Sequence, residues 1–121
     1  MQHHIGTDII EIARIRQTIE RWGERFLYRV YTESELRMYD NRPHSLAAVF
    51  ASKEAVMKVL GTGARGVGWR DIETLHHPNG KPFVQLNGRA KNTAEKMGIK
   101  EIDVSLSHSR EYATATAIGI T

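Results

Sequence analysis

Asp8 is the first residue whose type and position could support chemistry. It interrupts an apolar segment, residues 5–12, in which a carboxylate loses solvation unless it has a partner. A divalent cation is one suitable partner, because Mg²⁺ is often held by one or two carboxylates together with phosphate oxygens and water. Asp is also a favoured helix N-cap, and a helix is predicted directly after this segment. Taken alone, Asp8 fits the cap better than a metal site.

Glu54 and Lys58 form a second candidate pair, within a helix predicted at residues 45–60. Because they are four residues apart, both side chains lie on one helix face, where the small residues Ala47 and Ala51 leave room beside them. A substrate could therefore approach a carboxylate and an ammonium group together. An exposed ion pair, worth about 0.3–0.5 kcal/mol, is the simpler interpretation of this spacing alone.

Lys53 and His108 each leave two interpretations open. Lys53 projects into the middle of the apolar arc of the same helix, so it either extends past that arc to solvent or meets a buried anion. His108 ends a predicted strand among serine hydroxyls, where a histidine can donate to a phosphate or transfer a proton. A histidine in a surface turn has the same local pattern.

The glycine-rich segment 61–68 invites comparison with phosphate-binding loops. It lacks the G-x-x-x-x-G-K-[ST] pattern, and it follows the end of a helix, where the dipole repels anions. Any phosphate contact from Gly61, Thr62 and Gly63 would therefore use backbone N–H groups, with Arg65 as the nearby cation. A flexible helix stop explains the same glycines.

Three arginines, Arg14, Arg21 and Arg25, share one side of the predicted first helix. On an ideal helix they lie within about 20° of a common line beside the apolar face. Such a stripe is usually a solvated face. The alternative is a docking surface for an acidic protein.

Hydrophobic periodicity and turn residues predict the elements that position these side chains. In chain order they are a strand at 4–10, helices at 11–26, 32–40 and 45–60, strands at 71–76 and 82–86, a helix at 88–97, and strands at 103–107 and 113–120. Thr32 and Glu35 have capping-box spacing and open the second helix, and Pro43 is assigned to the loop after it. Early helices and late antiparallel strands predict an α+β fold, a small antiparallel sheet packed with helices.

Length and composition set the remaining limits. A chain of 121 residues predicts one domain, residues 1–121, and a pocket in so small a domain favours a site shared between subunits. The net charge of +3 favours an anionic partner, but this excess and 7% aromatic residues do not predict nucleic-acid binding. Cysteine is absent, and neither a membrane span nor a signal peptide is visible. We therefore expect a cytoplasmic protein without a membrane partner.

Five segments in this order resemble the holo-[acyl-carrier-protein] synthase family, the small 4′-phosphopantetheinyl transferases. They are Ile5-Gly6-Thr7-Asp8-Ile9-Ile10-Glu11-Ile12, the helix from Phe50 to Gly63 with Lys53-Glu54-Ala55 and Lys58, Trp69-Arg70-Asp71-Ile72-Glu73, Gly80-Lys81-Pro82, and Val104-Ser105-Leu106-Ser107-His108. The helix motif is specific, and the other motifs are individually weak. Together they cover essentially the whole chain.

The resemblance implies a Mg²⁺-dependent enzyme that transfers 4′-phosphopantetheine from coenzyme A to a serine of apo acyl carrier protein, leaving adenosine 3′,5′-bisphosphate. It also implies the family's α+β fold, assembled as a homotrimer with active sites between subunits. Asp8 and Glu54 match the family's two metal-ligand carboxylates. Lys58 and His108 match positions associated with the phosphates of coenzyme A. The resemblance therefore reverses the local preference for a helix cap and a surface ion pair.

The same resemblance assigns further roles. Glu54 or a water molecule takes the proton of the incoming serine, and Lys58 stabilises or protonates the departing phosphate, with Asp8 as the third catalytic residue. The glycine-rich segment, through Gly61, Thr62 and Gly63, is expected to contact coenzyme A. The helix carrying the arginine stripe, Arg14, Arg21 and Arg25, meets the acidic carrier protein in relatives.

One position departs from the family pattern. Many relatives have an arginine immediately before the phenylalanine of the helix motif, where it can help bind a coenzyme A phosphate, whereas this chain has Val49. Either Arg42 or Arg65 replaces it, or nucleotide binding relies on other groups. The alternative to catalysis is an oligomeric domain that binds coenzyme A or a nucleotide and does not need Asp8 and Glu54 together.

Overall fold

The computed structural model describes residues 2–121. Its elements are β1 (His3–Glu11), α1 (Ile12–Trp22), α2 (Glu24–Val30), α3 (Glu33–Tyr39), α4 (Pro43–Leu60), a 3₁₀ helix (Trp69–Asp71), β2 (Ile72–His76), β3 (Pro82–Leu86), α5 (Gly88–Lys96), β4 (Glu101–His108) and β5 (Tyr112–Ile120). The predicted α+β class is confirmed. Within the described residues, no helix is long and apolar enough to cross a membrane.

Two antiparallel sheets carry the strands. The larger sheet has the order β1–β5–β4, and β2 pairs with β3 in a separate hairpin. Asp8 on β1 lies opposite Ala115 on β5, and His108 on β4 lies opposite Ala113 on the same strand. The two strands that carry predicted site residues therefore flank one central strand.

The long helix α4 covers one face of the larger sheet and contacts β1 and β5. Small side chains make this close packing possible: Ala51 and Ala55 of α4 and Ala115 and Ala117 of β5 are all buried. Gly6 marks the closest approach, because a Cβ there would overlap the carbonyl oxygen of Ala55. The small residues thus set the distance between β1 and α4.

The first predicted helix is wrong at both ends. Glu11 belongs to β1, and the helix stops at Trp22 because Gly23 adopts φ 54° and ψ −130°, a conformation that continues no α-helix. The chain then resumes as α2 from Glu24. Trp22, expected on the apolar face, is 47% exposed.

Other boundaries are closer to expectation. Thr32 and Glu35 form the predicted capping box, and α3 ends at Tyr39 with Asp40 in the left-handed region. Pro43, assigned to a loop from the sequence, is instead the first residue of α4, where the missing N–H of proline costs no hydrogen bond. The same helix ends as predicted at Gly61, whose φ is 71°.

Candidate active site

β1 and α4 bring Asp8 together with Glu54 and Lys58, which follow it in the chain by 46 and 50 residues. Asp8 faces α4, and its side chain is 14% exposed. It is not the helix cap that local sequence favoured, since Glu11 occupies the N-cap position of α1 and Asp8 lies three residues earlier within the strand. The cap interpretation of Asp8 is therefore wrong, and the metal-site interpretation stays a prediction.

Lys58 contacts the strand rather than the carboxylate one helical turn before it. Its Nζ donates to the carbonyl oxygen of Thr7 at 2.7 Å and lies 3.3 Å from Oδ1 of Asp8. Within residues 2–121, Lys58 makes its ion pair with Asp8 and not with Glu54. The Glu54–Lys58 pair that local spacing alone favoured does not form, in line with the preference that the resemblance had reversed, and Glu54 remains available to another partner.

Asp8 and Glu54 line one open pocket of about 360 Å³ between β1, α1 and α4. Partial burial and the nearby charge of Asp8 raise the pKa of Glu54, while Lys58 and Arg14 act in the opposite direction. Arg14 lines the same pocket, and Phe50 closes one wall. The pocket thus holds two carboxylates, with Arg14 in its lining and Lys58 paired to Asp8.

This donor set fits a hard divalent cation that is shared with a phosphorylated substrate. Two carboxylates face one cavity, and burial, followed by the nearby charge of Asp8, raises the pKa of Glu54. Among residues 2–121, no cluster of three or more His, Cys, Asp or Glu side chains forms a complete metal cage. Mg²⁺ typically binds in this incomplete way, through one or two carboxylates with phosphate and water oxygens supplying the rest.

The glycine-rich segment begins where α4 ends. Gly61 and Gly63 have φ values of 71° and 67°, which favour glycine at both positions. The backbone N–H of Thr62 donates to the carbonyl oxygen of Met57. Its side-chain Oγ1 is buried and has no hydrogen-bond partner within the described residues. Sequence reasoning missed this unpartnered hydroxyl.

His108 lies at the end of β4, beside His44 of α4. The two imidazole rings pack edge to face with their centroids 5.6 Å apart. His44 was not predicted as a site residue, because only the tertiary fold brings the start of α4 to the end of β4. Together they place two potential cations on one surface.

The position that lacks the family arginine is internal. Val49 is fully buried, so its side chain makes no contact with ligand. Of the two expected replacements, Arg42 binds the carbonyl oxygens of Tyr39 and Met38 at the end of α3. Arg65 is exposed in the glycine-rich segment. Arg65 is therefore the freer of the two expected replacements.

The arginine stripe is not continuous along one helix. Arg14 and Arg21 lie on α1, whereas Arg25 follows the break at Gly23 and lies on α2. Arg21 and Arg25 nevertheless meet, because both guanidinium groups pack over the exposed ring of Trp22, at 5.1 and 5.7 Å from its centroid. We call Arg21, Trp22 and Arg25 the arginine–tryptophan cluster.

This cluster borders the carboxylate pocket. A second cavity, of about 470 Å³, is lined by Trp22, Arg25 and Arg29, and shares Thr18 and Phe26 with the pocket of Asp8 and Glu54. Arg29 was not singled out in the sequence. A basic surface with an exposed aromatic ring thus adjoins the pair of acidic side chains.

Lys53 meets a buried anion, one of its two predicted alternatives. Its Nζ lies 2.9 Å from Oε1 of Glu35, and neither side chain is exposed to solvent. Burial lowers the pKa of Lys53, against the opposing effect of Glu35. Sequence analysis assigned Glu35 only to the capping box. The signal in the sequence was Lys53 itself, because a lysine within the apolar arc of a helix indicates that a buried acid could face it.

Comparison with known proteins defines the class to which this fold and site belong. The sequence profile of the 4′-phosphopantetheinyl transferase superfamily matches residues 4–117. The chain therefore belongs to this superfamily of transferases, and the resemblance found in its motifs is confirmed.

Particular relatives are similar over nearly the full chain. A holo-[acyl-carrier-protein] synthase from Gloeobacter violaceus is 51% identical over 118 residues, 94% of this chain and 89% of that protein. The crystal structure of the Helicobacter pylori holo-[acyl-carrier-protein] synthase in complex with coenzyme A matches with a TM-score of 0.88 and 31% identity, covering 96% of this chain and 99% of that chain. The corresponding synthase from Neisseria meningitidis gives 0.89 and 33%, with 98% of each chain covered.

Proposed function

We propose that this chain, acting as a single domain, transfers the 4′-phosphopantetheine group of coenzyme A to a serine of apo acyl carrier protein in a Mg²⁺-dependent reaction. The observation that carries the proposal is the shared pocket of Asp8 and Glu54, with Lys58 at its edge. Relatives named holo-[acyl-carrier-protein] synthase, one of them solved with coenzyme A, support the substrates. A domain that only bound coenzyme A would not need both carboxylates.

In the proposed reaction the serine oxygen forms a bond to the phosphorus that carries the pantetheine arm. The bond from that phosphorus to the bridging oxygen of adenosine 3′,5′-bisphosphate breaks. Asp8 and Glu54 hold Mg²⁺, which when bound neutralises charge on the pyrophosphate oxygens. Phosphoryl transfer depends mainly on such positioning and charge stabilisation.

The residues of this chain account for the proton and the leaving group. Glu54 suits the role of base, alone or through a water molecule, because its carboxylate is partly exposed in the pocket that the serine must enter. Lys58 is 54% exposed and can turn from Asp8 toward the departing phosphate, which it stabilises or protonates. The glycine-rich segment, through Gly61, Thr62 and Gly63, and the imidazole of His108 supply further contacts to coenzyme A.

The carrier protein docks on the basic surface beside this pocket. The arginine–tryptophan cluster and Arg14 provide positive charge, and the exposed ring of Trp22 provides apolar contact. The cavity beside the cluster shares residues with the carboxylate pocket. A carrier bound there has a short path by which its serine reaches Glu54.

The chain assembles as a homotrimer with active sites between subunits. Ile5 and Ile9 of β1 are 66% and 62% exposed, on the sheet face opposite α4. Ile5 pairs with Ile118 across the strands, which extends the apolar surface. Ile9 also lines the carboxylate pocket, so a neighbour covering this face would reach the edge of the site.

The experiment that tests the function incubates the protein with coenzyme A, Mg²⁺ and apo acyl carrier protein and measures the intact mass of the carrier. We expect the carrier to gain one phosphopantetheine group on its serine, and the gain to disappear when a chelator removes Mg²⁺. No gain with several carriers, together with measurable coenzyme A binding, would instead favour the non-catalytic binding domain.

A further inference from the structure

The buried ion pair of Lys53 and Glu35 lies outside the pocket described above. All three donors of the Lys53 ammonium group are used: it contacts Oε1 of Glu35 and donates to the carbonyl oxygens of Trp69 and Ile72. Oε1 of Glu35 also accepts from the N–H of Thr32, and Oε2 accepts from the N–H of Thr74. One lysine therefore connects α4 to α3, to the 3₁₀ helix and to β2.

Two of these contacts, from Lys53 to the carbonyl oxygens of Trp69 and Ile72, lie just after the end of the glycine-rich segment. The segment leaves α4 at Gly61 and returns to regular structure at Trp69, so both of its ends are attached to the same helix. At the far end, Val67 is fully buried and the ring of Trp69 stacks on Phe50 with a centroid distance of 4.9 Å. Between these attachments, residues 63–66 are exposed.

Lys53 is adjacent to Glu54 yet points the opposite way. Lys53 is fully buried toward β2, whereas Glu54 is partly exposed in the pocket that Phe50 also lines. Trp69 accepts a hydrogen bond from Lys53 and stacks its ring on Phe50, so it connects the buried lysine to the wall of that pocket. A single turn of α4 thus carries both Glu54, which lines the pocket, and Lys53, which attaches the glycine-rich segment to the helix.

We infer that Lys53 is a positioning residue that holds the exit of the glycine-rich segment against α4 and thereby keeps the segment in the form that binds coenzyme A. The inference rests on the proposed function, because it takes coenzyme A as the ligand of this segment. A buried charge is costly unless its hydrogen bonds are made, and two of the three contacts of Lys53 go to residues that follow this segment, Trp69 and Ile72. Lys53 acts through Trp69 and Ile72 and touches no reacting atom.

The test uses the paired variant Glu35→Gln/Lys53→Met in the full chain, which removes both buried charges and leaves no ion without a partner. The introduced glutamine retains a carbonyl oxygen that can accept from a backbone amide. Should this pair fail to fold, Glu35→Gln/Lys53→Gln replaces it, with one amide in place of the ammonium group. Ser52→Ala is the matched control, because Ser52 is also buried on α4 and bonds to Thr74 of β2 without touching the segment's exit.

Two measurements follow, both well below the melting temperature. In limited trypsin digestion, we expect the paired variant to be cut faster after Arg65, within the segment, relative to cutting after Arg110 in the β4–β5 turn. In the transfer assay, we expect the KM for coenzyme A to rise about tenfold while kcat stays within about twofold. Ser52→Ala should change neither the cleavage ratio nor this KM.

Equal acceleration of both cuts, or an unchanged cleavage ratio with an unchanged KM, would overturn the inference. A loss of kcat at constant KM would overturn it as well, because it would place the effect on the reacting groups. If the wild-type chain transfers no phosphopantetheine, the proposed function fails. The cleavage ratio still shows in that case whether Lys53 anchors the segment.

Discussion

At the scale of single residues, the two carboxylates of the candidate site lower the stability of the fold at neutral pH. Glu54 lies partly buried beside Asp8, and both burial and that neighbouring charge raise its pKa. Two carboxylates in one pocket repel each other, and the same repulsion favours the binding of a cation between them. Lys58 relieves this repulsion only in part, through its 3.3 Å contact with Asp8.

The first prediction concerns the pH dependence of stability at Glu54. A raised folded-state pKa means that the folded chain binds this proton more tightly, so stability falls as pH rises from the ordinary value of 4.5 through the raised pKa. Glu54→Gln should therefore have a melting temperature a few degrees above that of wild type at pH 7. The corresponding gain in the free energy of unfolding should be less than about 1 kcal/mol, because solvent screens a partly exposed group. Thermal denaturation from pH 4 to pH 8 measures the difference.

The expected difference shrinks toward zero below pH 4.5, where both forms are neutral at this position. Glu95→Gln is the control, because Glu95 is exposed on α5 and should melt like wild type. A Glu54→Gln variant that is less stable than wild type at pH 7 would contradict the burial and charge repulsion that raise the pKa of Glu54.

The second prediction concerns the arginine–tryptophan cluster. Arg21→Glu/Arg25→Glu reverses the charge around Trp22 and should raise the KM for the carrier protein by about tenfold or more at low salt, because like charges now face an acidic partner. The KM for coenzyme A should remain within about twofold. Steady-state kinetics with each substrate varied in turn measures both values.

Arg89→Glu provides the matched reversal for these kinetics, on the exposed surface of α5. It makes the same change of sign away from the cluster and should leave the carrier KM unchanged. An unaltered carrier KM in the cluster variant would mean that Arg21 and Arg25 belong to a solvated face.

At the scale of elements, the site depends on how closely one strand approaches one helix. Gly6 permits that approach, because any Cβ at this position would overlap the carbonyl oxygen of Ala55. Asp8 is two residues further along the same strand and shares its face. The separation of β1 from α4 therefore sets the distance between the two carboxylates.

The third prediction follows from this spacing. Gly6→Ala should destabilise the fold by about 1–3 kcal/mol, because the added methyl group meets backbone and not a movable side chain. It should also reduce kcat by at least about tenfold, because displacement of catalytic groups by about 1 Å carries losses of that order. Chemical denaturation and the transfer assay give the two values.

Gly119→Ala separates the two effects. A Cβ there meets Cγ1 of Val59 at 2.7 Å, so it also crowds the contact between the sheet and α4. Gly119 lies opposite His4 on β1, away from Asp8. This variant should lose stability while retaining kcat, and a similar loss of kcat in both glycine variants would argue against a specific role for Gly6.

Local pattern explains which elements the sequence could predict. The periodicity of α4, the Thr32–Glu35 capping box and the turn before β3 are set by neighbours in the chain, and each was found. The break at Gly23 was missed because a glycine interrupts an amphipathic pattern without changing its period. Pro43 was misplaced because proline marks loops and first helical turns alike.

Only part of the candidate site could be predicted from the sequence. Asp8, Glu54 and Lys58 were recognised only through motifs considered together, since local rules favoured a cap and a surface ion pair. The partners Glu35 and His44 depend on contacts between elements distant in sequence, which no single segment records. These two partners are set by long-range packing, so they could not be predicted from the sequence.

At the scale of the whole molecule, one sheet face remains uncovered by the chain itself. α4 packs on one side, while Ile5 and Ile9 are largely exposed on the other. Exposed apolar side chains on a strand favour association with another surface. A trimer formed through this face would bury them and complete the edge of each carboxylate pocket.

The fourth prediction tests that assembly. Wild-type protein should have the native mass of three chains, and Ile5→Asp should shift the population to single chains, because it places a charge in an apolar contact. Tyr28→Asp is the control, since Tyr28 is 50% exposed on α2, outside this face, and should leave the mass unchanged. Native mass spectrometry or light scattering measures the outcome, and a wild-type monomer that remains fully active would refute the trimer.

The most direct test of the central claim is a carrier-modification time course for Asp8→Ala and Glu54→Ala, with Glu95→Ala as a control that removes an exposed carboxylate. The intact mass of the carrier is followed with coenzyme A and Mg²⁺ present. We predict that each pocket variant folds but loses at least about a thousandfold in rate, roughly 4 kcal/mol of transition-state stabilisation, while Glu95→Ala matches wild type. Near-wild-type modification by either pocket variant would contradict the assignment of this pocket as the site of transfer.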